Sequence, residues 1–178
     1  VSRVANRLTD KIITEAEVPF ISEAIQIRDE LCQWAPPSSE ILHASSDVLC
    51  SLDDIITTAD AYRRTALLHL YRAFPPLGKD VDRLADEILN QILHIPKESG
   101  SLCIHIWPLM AAGCEQADPS RRAQVRSRFE HMRTLLMVAN VDSAIDLMEE
   151  VWKKRDAGDF NAGWTNLARE RGWHLLLG

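Results

Sequence analysis

The sequence predicts an all-α fold: one domain over residues 1–178, built as an array of about seven or eight antiparallel and crossed helices. Three observations carry that expectation. Apolar residues recur at spacings of three and four along several segments, the period of one helix face. Prolines and glycines fall where those patterns end. No segment of strand length alternates cleanly while being rich in valine, isoleucine and threonine.

The strongest element is "DVDRLADEILNQILHIP". Val81, Leu84, Ala85, Ile88, Leu89, Ile92 and Leu93 form one continuous stripe, Asp80 is placed to cap the first turn, and Pro96 stops the helix. "SEAIQIRDELCQW" (22–34) reads as a helix closed by Pro36 and Pro37. "DDIITTADAYRRTALLHLYRAF" (53–74) has Leu67, Leu68, Leu70, Tyr71 and Phe74 over a wide arc, so it is expected near the centre of the core, ended by Pro75 and Pro76. In "NVDSAIDLMEEVWKKRDAG" (140–158) the inward side is Val141, Ala144, Ile145, Met148, Val151 and Trp152. Lys153, Lys154 and Arg155 complement the helix dipole, and Gly158 provides the stop. A last short helix covers 163–171. "SLCIHIWPLM" comes nearest to a strand, but Pro108 suits the first turn of a helix better than a central strand. The loop-like stretches are 35–40, 75–79, 96–101 and 158–163.

Composition narrows the function. No uncharged apolar run is long enough to span a bilayer, so no membrane role is expected. A net charge of −6 argues against generic nucleic-acid binding by the chain as a whole. Four cysteines, at 32, 50, 103 and 114, are too scattered for a metal clip or a disulfide scaffold and read as buried, reduced thiols of an intracellular protein. The chain starts at Val1 without an initiator methionine and is expected to be a piece of a longer protein.

Several constellations invite a chemical reading, each with a plainer one beside it. Glu40 and His43 have the Glu-x-x-His spacing of di-iron bundles, but the nearest second copy, Gln91 and His94, offers a glutamine. Cys103, His105 and Cys114 have zinc-ligating side chains, yet they fall on an apolar helical segment where packing is the default. Phosphate loops, nucleophile elbows and dinucleotide fingerprints are all missing. Asp53-Asp54 and Glu149-Glu150 are sequence neighbours on helices and so diverge by about 100°. No catalytic residue, metal or cofactor is expected in this chain.

Two features remain. "PSRRAQVRSRFEHMR" carries Arg121, Arg122, Arg126, Arg128 and Arg133, with Val125, Phe129, Met132 and Leu136 as its inward stripe. Arg122, Arg126 and Arg133 then share the outer side, a basic face for a partner or a solvated face paired with acidic neighbours. The tryptophans at 34, 107, 152, 164 and 173 either anchor helices or line a small-molecule pocket. Tyr71, Trp107, Trp152, Trp164 and Trp173 are the candidates for that pocket. "WPLMAAGCEQADPSRR" between them reads as a structural joint. Trp107 and Leu109 anchor one helix, Ala111, Ala112 and Gly113 admit a neighbour, and Asp118-Pro119 opens the arginine helix.

Three stretches together resemble a known family. "ADAYRRTALLHLYRAFP" is similar to the alanine- and leucine-rich central helix of the fungal-specific transcription factor domain, the region C-terminal to zinc binuclear-cluster DNA-binding modules. "WPLMAAGCEQADPSRRAQVRSRF" resembles its Trp-Pro-Leu element, with Gly113, an acidic turn and an arginine-opened helix following. "NVDSAIDLMEEVWKKRDAG" with "WTNLARERGWHLLLG" resembles its closing segment. Order and spacing agree from about residue 53 onward. The resemblance implies a helical regulatory region of a nuclear protein, with zinc and DNA reading confined to a six-cysteine cluster upstream of this chain. It implies co-regulators or self-association as partners and leaves room for a small-molecule effector.

Overall fold

A computed structural model of the chain describes residues 18–36, 50–78, 80–137 and 139–172. Among them every regular element is helical, and no strand occurs. The α-helices are α1 (Val18–Gln33), α2 (Leu52–Ala73), α3 (Val81–His94), α4 (Ile106–Gly113), α5 (Pro119–Leu136), α6 (Ala139–Asp156) and α7 (Trp164–Glu170). Short 3-10 turns at Pro75–Leu77 and Gly100–Ile104 occupy parts of two stretches expected to be loops.

The first helix, α1, belongs to one compact unit, Val1–Trp34, and every other described element belongs to a second, Ala35–Gly178. It begins four residues before the predicted start and buries Ala24, while Phe20, Ile25 and Ile27 are exposed.

In the second unit the predicted punctuation is in place. The Asp80 carboxylate accepts from the Arg83 amide at 3.1 Å, and Ser51, which the sequence reading did not single out, caps α2 by accepting from the Asp54 amide at 3.0 Å. Asp118 caps α5, with Pro119 at its first position, where a missing N–H costs nothing. Ile95 closes α3 just before Pro96, and Gly158, at φ +96°, follows the end of α6. Residue Met137 ends α5 in the left-handed region at φ 49°, a conformation more often given to glycine.

The helix expected near the centre of the core, 53–74, packs on α3 and α4 and gives Ala61 and Leu68 to the core. The most enclosed helix is α4, in which every residue except Trp107 is buried. It carries no charged side chain, so all of its faces can leave water. By contrast α2 buries Thr58, Ala61, Thr65, Leu67 and Leu68, while Leu70 and Tyr71 stay half-buried. Helices α2, α3, α5 and α6 all pack on α4, and α7 packs on α6. One contiguous core results, containing Leu89, Ile92, Leu109, Phe129, Met132, Met148 and Trp152.

Gly113 sits at the tightest point of that core. A Cβ there would lie 2.9 Å from Val125 Cγ1 and 3.0 Å from Met148 Sδ. The small-residue stretch predicted to admit a neighbour therefore admits two, α5 and α6. The Gly113 carbonyl also accepts from Trp152 Nε1 at 2.8 Å.

Candidate functional site

The arginine helix does not present a bare basic face. Arg122 donates two hydrogen bonds to Asp156, at 2.7 and 2.9 Å, and a third to the Gln116 carbonyl at 2.8 Å. Arg126 pairs with Glu149, and Arg133 pairs with Glu130 and lies 3.9 Å from Asp142. Three of these acids come from α6, whose acidic side lies along the arginines. The Arg122 and Arg126 guanidiniums also sit 5.1 and 4.7 Å from the centroid of the Trp152 ring, a cation–π arrangement that closes over the indole. The hydrogen bonds from Arg122 hold the Asp156 carboxyl below its ordinary range.

Arg128, from the same run, is not on the outer side at all. It is 3% exposed and donates through Nη2 to the carbonyls of Ile92, Leu93 and Ile95, at 3.2, 2.9 and 2.8 Å. Those groups close α3, where helix carbonyls lack intrahelical donors and the macrodipole is negative. The signal was readable, because position 128 falls with 125, 129 and 132 on the inward stripe.

A cavity of about 590 Å³ lies where the second half of α2 meets the segment leading into α7. Two of the five candidate pocket residues, Tyr71 and Trp164, line it. Trp107 stands one ring behind: it donates from Nε1 to His69 Nε2 at 3.3 Å, with the rings near parallel at 12° and 5.7 Å apart. Trp164 meets the other side of His69 edge-on, 5.0 Å away. Trp152 belongs to the α5–α6 seam instead, and Trp173 lies outside the described residues. The tryptophans thus split between two places, and the aromatic wall of the cavity is Trp164, His69 and Tyr71. Gly78 shares that wall, because a Cβ there would fall 2.1 Å from Tyr71 Cγ.

An ion cluster that sequence reasoning missed forms the floor. Glu115, its side chain 6% exposed, accepts from Arg155 at 3.0 and 3.2 Å and also pairs with Arg72. Arg155 further donates to the carbonyls of Cys114 and Ala162, at 2.7 and 2.9 Å, tying α6 to the end of α4 and to the approach of α7. Sequence position assigned Arg155 only to the helix dipole; the structure makes it a buried clamp. Burial pulls the Arg155 and Arg72 pKa values down, and in Arg72 the nearby Arg155 charge adds to the effect.

No group of three or more metal-ligating side chains is gathered among the described residues. Gln91 and His94 bond to Asp60 and to the Asn90 carbonyl, at 2.6 and 2.8 Å. Glu40 and His43 lie outside the described residues. The expectation of buried cysteines holds only for Cys114, whose thiol is pushed up to about 12; Cys50 is half-buried, and Cys32 and Cys103 are exposed on the outer sides of their segments. His105 is enclosed with Nε2 3.0 Å from Thr58 Oγ1. Burial, helped by the Arg128 charge and opposed by Asp54, lowers the His105 pKa to about 4. No described helix is long and apolar enough to cross a membrane.

Among the described residues the site thus consists of a paired arginine seam and a side cavity with an aromatic wall and an ionic floor. A family model for the fungal-specific transcription factor domain matches residues 2–178, so the chain belongs to that family along essentially its whole length. The match includes residues 2–50, where the likeness by sequence motif is only loose. No curated protein and no solved structure matches significantly. Membership assigns a role in transcription regulation and, in general, a place in the nucleus.

Proposed function

We propose that this chain is the effector-sensing regulatory region of a fungal zinc-cluster transcription factor, acting in the nucleus. In this reading DNA is contacted only through a zinc cluster elsewhere in the protein, and a small molecule occupies the cavity between α2, α6 and α7. The observation that supports it most is the cavity itself. Its volume is in the range of metabolite sites, its wall is aromatic, and convergent polar groups form its floor. An effector that fits only when α7 is docked would shift the balance between a masked and an active arrangement.

Thermal shift and intrinsic tryptophan fluorescence against a metabolite panel test this reading. A saturable stabilisation with a change in Trp164 emission is expected, since a ligand that binds only the folded form raises its stability by mass action. A flat response across the panel removes the sensor reading.

A second reading, contact with co-regulators or a second copy, draws on the end of α5. There Leu135 and Met137 are exposed, 53% and 85%, beside Arg133. Sedimentation tests the self-association version: Leu135→Asp should shift a wild-type dimer to monomer. A monomeric wild type removes it.

A further inference from the structure

We infer that the cavity under Trp164 takes a small organic anion, a carboxylate attached to a planar ring. This deepens the effector reading above and rests on it. Three guanidiniums line the cavity, those of Arg72, Arg155 and Arg169, against the one carboxylate of Glu115, an excess of two positive charges. Glu115 is fully engaged by Arg72 and Arg155. Asp82 is felt by both Arg72 and Arg155, and Asp159 by Arg155, but neither acid lines the cavity. Arg72 pairs directly with Glu115 and feels the Asp82 charge, and its side chain is 40% exposed. Asp82 acts at longer range and does not line the cavity, so Arg72 can still donate to an incoming acceptor, and guanidinium donors are matched in geometry to a carboxylate.

The aromatic wall adds a second donor. An indole N–H can only donate, so the bond from Trp107 Nε1 makes His69 Nε2 the acceptor and leaves the ring proton on Nδ1. That Nδ1–H has no partner among the described residues. The lining is thus rich in donors and in positive charge, while its one carboxylate is already satisfied. The half-exposed Trp164 ring and the Tyr71 ring give a planar body something to lie against. A neutral apolar ligand would strand these donors, and a cation would meet the guanidiniums.

Isothermal titration of the folded domain with naphthalene-2-carboxylate and with its uncharged carboxamide tests the assignment. The acid is expected to bind at least tenfold more tightly than the amide. Its affinity should fall as salt is raised, while that of the amide stays level. Arg72→Gln and Arg169→Gln should each shrink the acid-over-amide preference severalfold. Both side chains are accessible, so circular dichroism should show both variants folded; the salt series on the wild type needs no variant at all. Equal binding of acid and amide overturns the anion assignment and leaves the effector reading standing. Absence of binding by both probes overturns the assignment, and a flat metabolite panel alongside it removes the effector reading too.

Discussion

Acidification should weaken this fold through one histidine. His105 is fully enclosed between α2 and the start of α4, with Thr58 on Nε2 and the Arg128 charge close by, and its pKa is lowered to about 4. In the unfolded chain an imidazole titrates near 6.5. The folded value is the lower one, so the unfolded state binds the extra proton first. The stability is present in full above pH 6.5 and is lost as pH falls toward 4. The gap corresponds to roughly 2 kcal/mol lost by pH 5 and about 3 kcal/mol by pH 4. Urea unfolding followed by circular dichroism, at steps from pH 7 to pH 4, measures this for wild type and for His105→Gln. Glutamine keeps a hydrogen-bonding end for Thr58 and cannot titrate. His69, also lowered by burial, and the carboxylates titrate alike in both proteins and cancel in the difference. Wild type should lose about 3 kcal/mol more than the variant across the range. Parallel pH profiles would refute the burial of a neutral His105.

Other substitutions test other contacts. Arg128→Met should destabilise the domain by roughly 2–4 kcal/mol, because three carbonyls closing α3 lose a charged donor; urea unfolding within about 0.5 kcal/mol of wild type would place Arg128 outside the core. Gly113→Ala meets Val125 and Met148, and overpacking of about 1–3 kcal/mol outweighs a helix-propensity gain of about 1 kcal/mol, so a lower melting temperature is expected. A higher one would mean that α5 and α6 pack less closely on α4. A thiol-specific reagent should label exposed Cys32 and Cys103 in the native protein and reach Cys114 only after unfolding.

Helix positions were legible because capping and period act locally. Asp80, Asp118, Pro96 and Gly158 each constrain a few neighbouring backbone groups, and those constraints survive in the fold. Burial depth was less legible. The long α2 looked central by apolar count, yet Asp60, Arg63 and Arg64 keep one side wet, and the uncharged eight residues of α4 took the centre. Arginine was the hardest residue to place. One run of five divides into a helix-end clamp (Arg128), two cations over an indole (Arg122 and Arg126) and surface pairs (Arg121 and Arg133). That division depends on which acids and carbonyls another helix brings near. The cavity floor was invisible for the same reason, since Arg72, Glu115 and Arg155 are far apart in sequence and meet only once α2, α4 and α6 have packed.

On the proposed reading, regulation enters through the cavity beside Trp164. Thr165 lines that cavity and is exposed, so Thr165→Trp fills the space without cutting into the core. Reporter transcription driven by the full protein carrying this change is the direct measurement. Output is expected to become fixed at one level and no longer to respond to the metabolic conditions that move the wild type. Unaltered regulation with the cavity filled would contradict that reading.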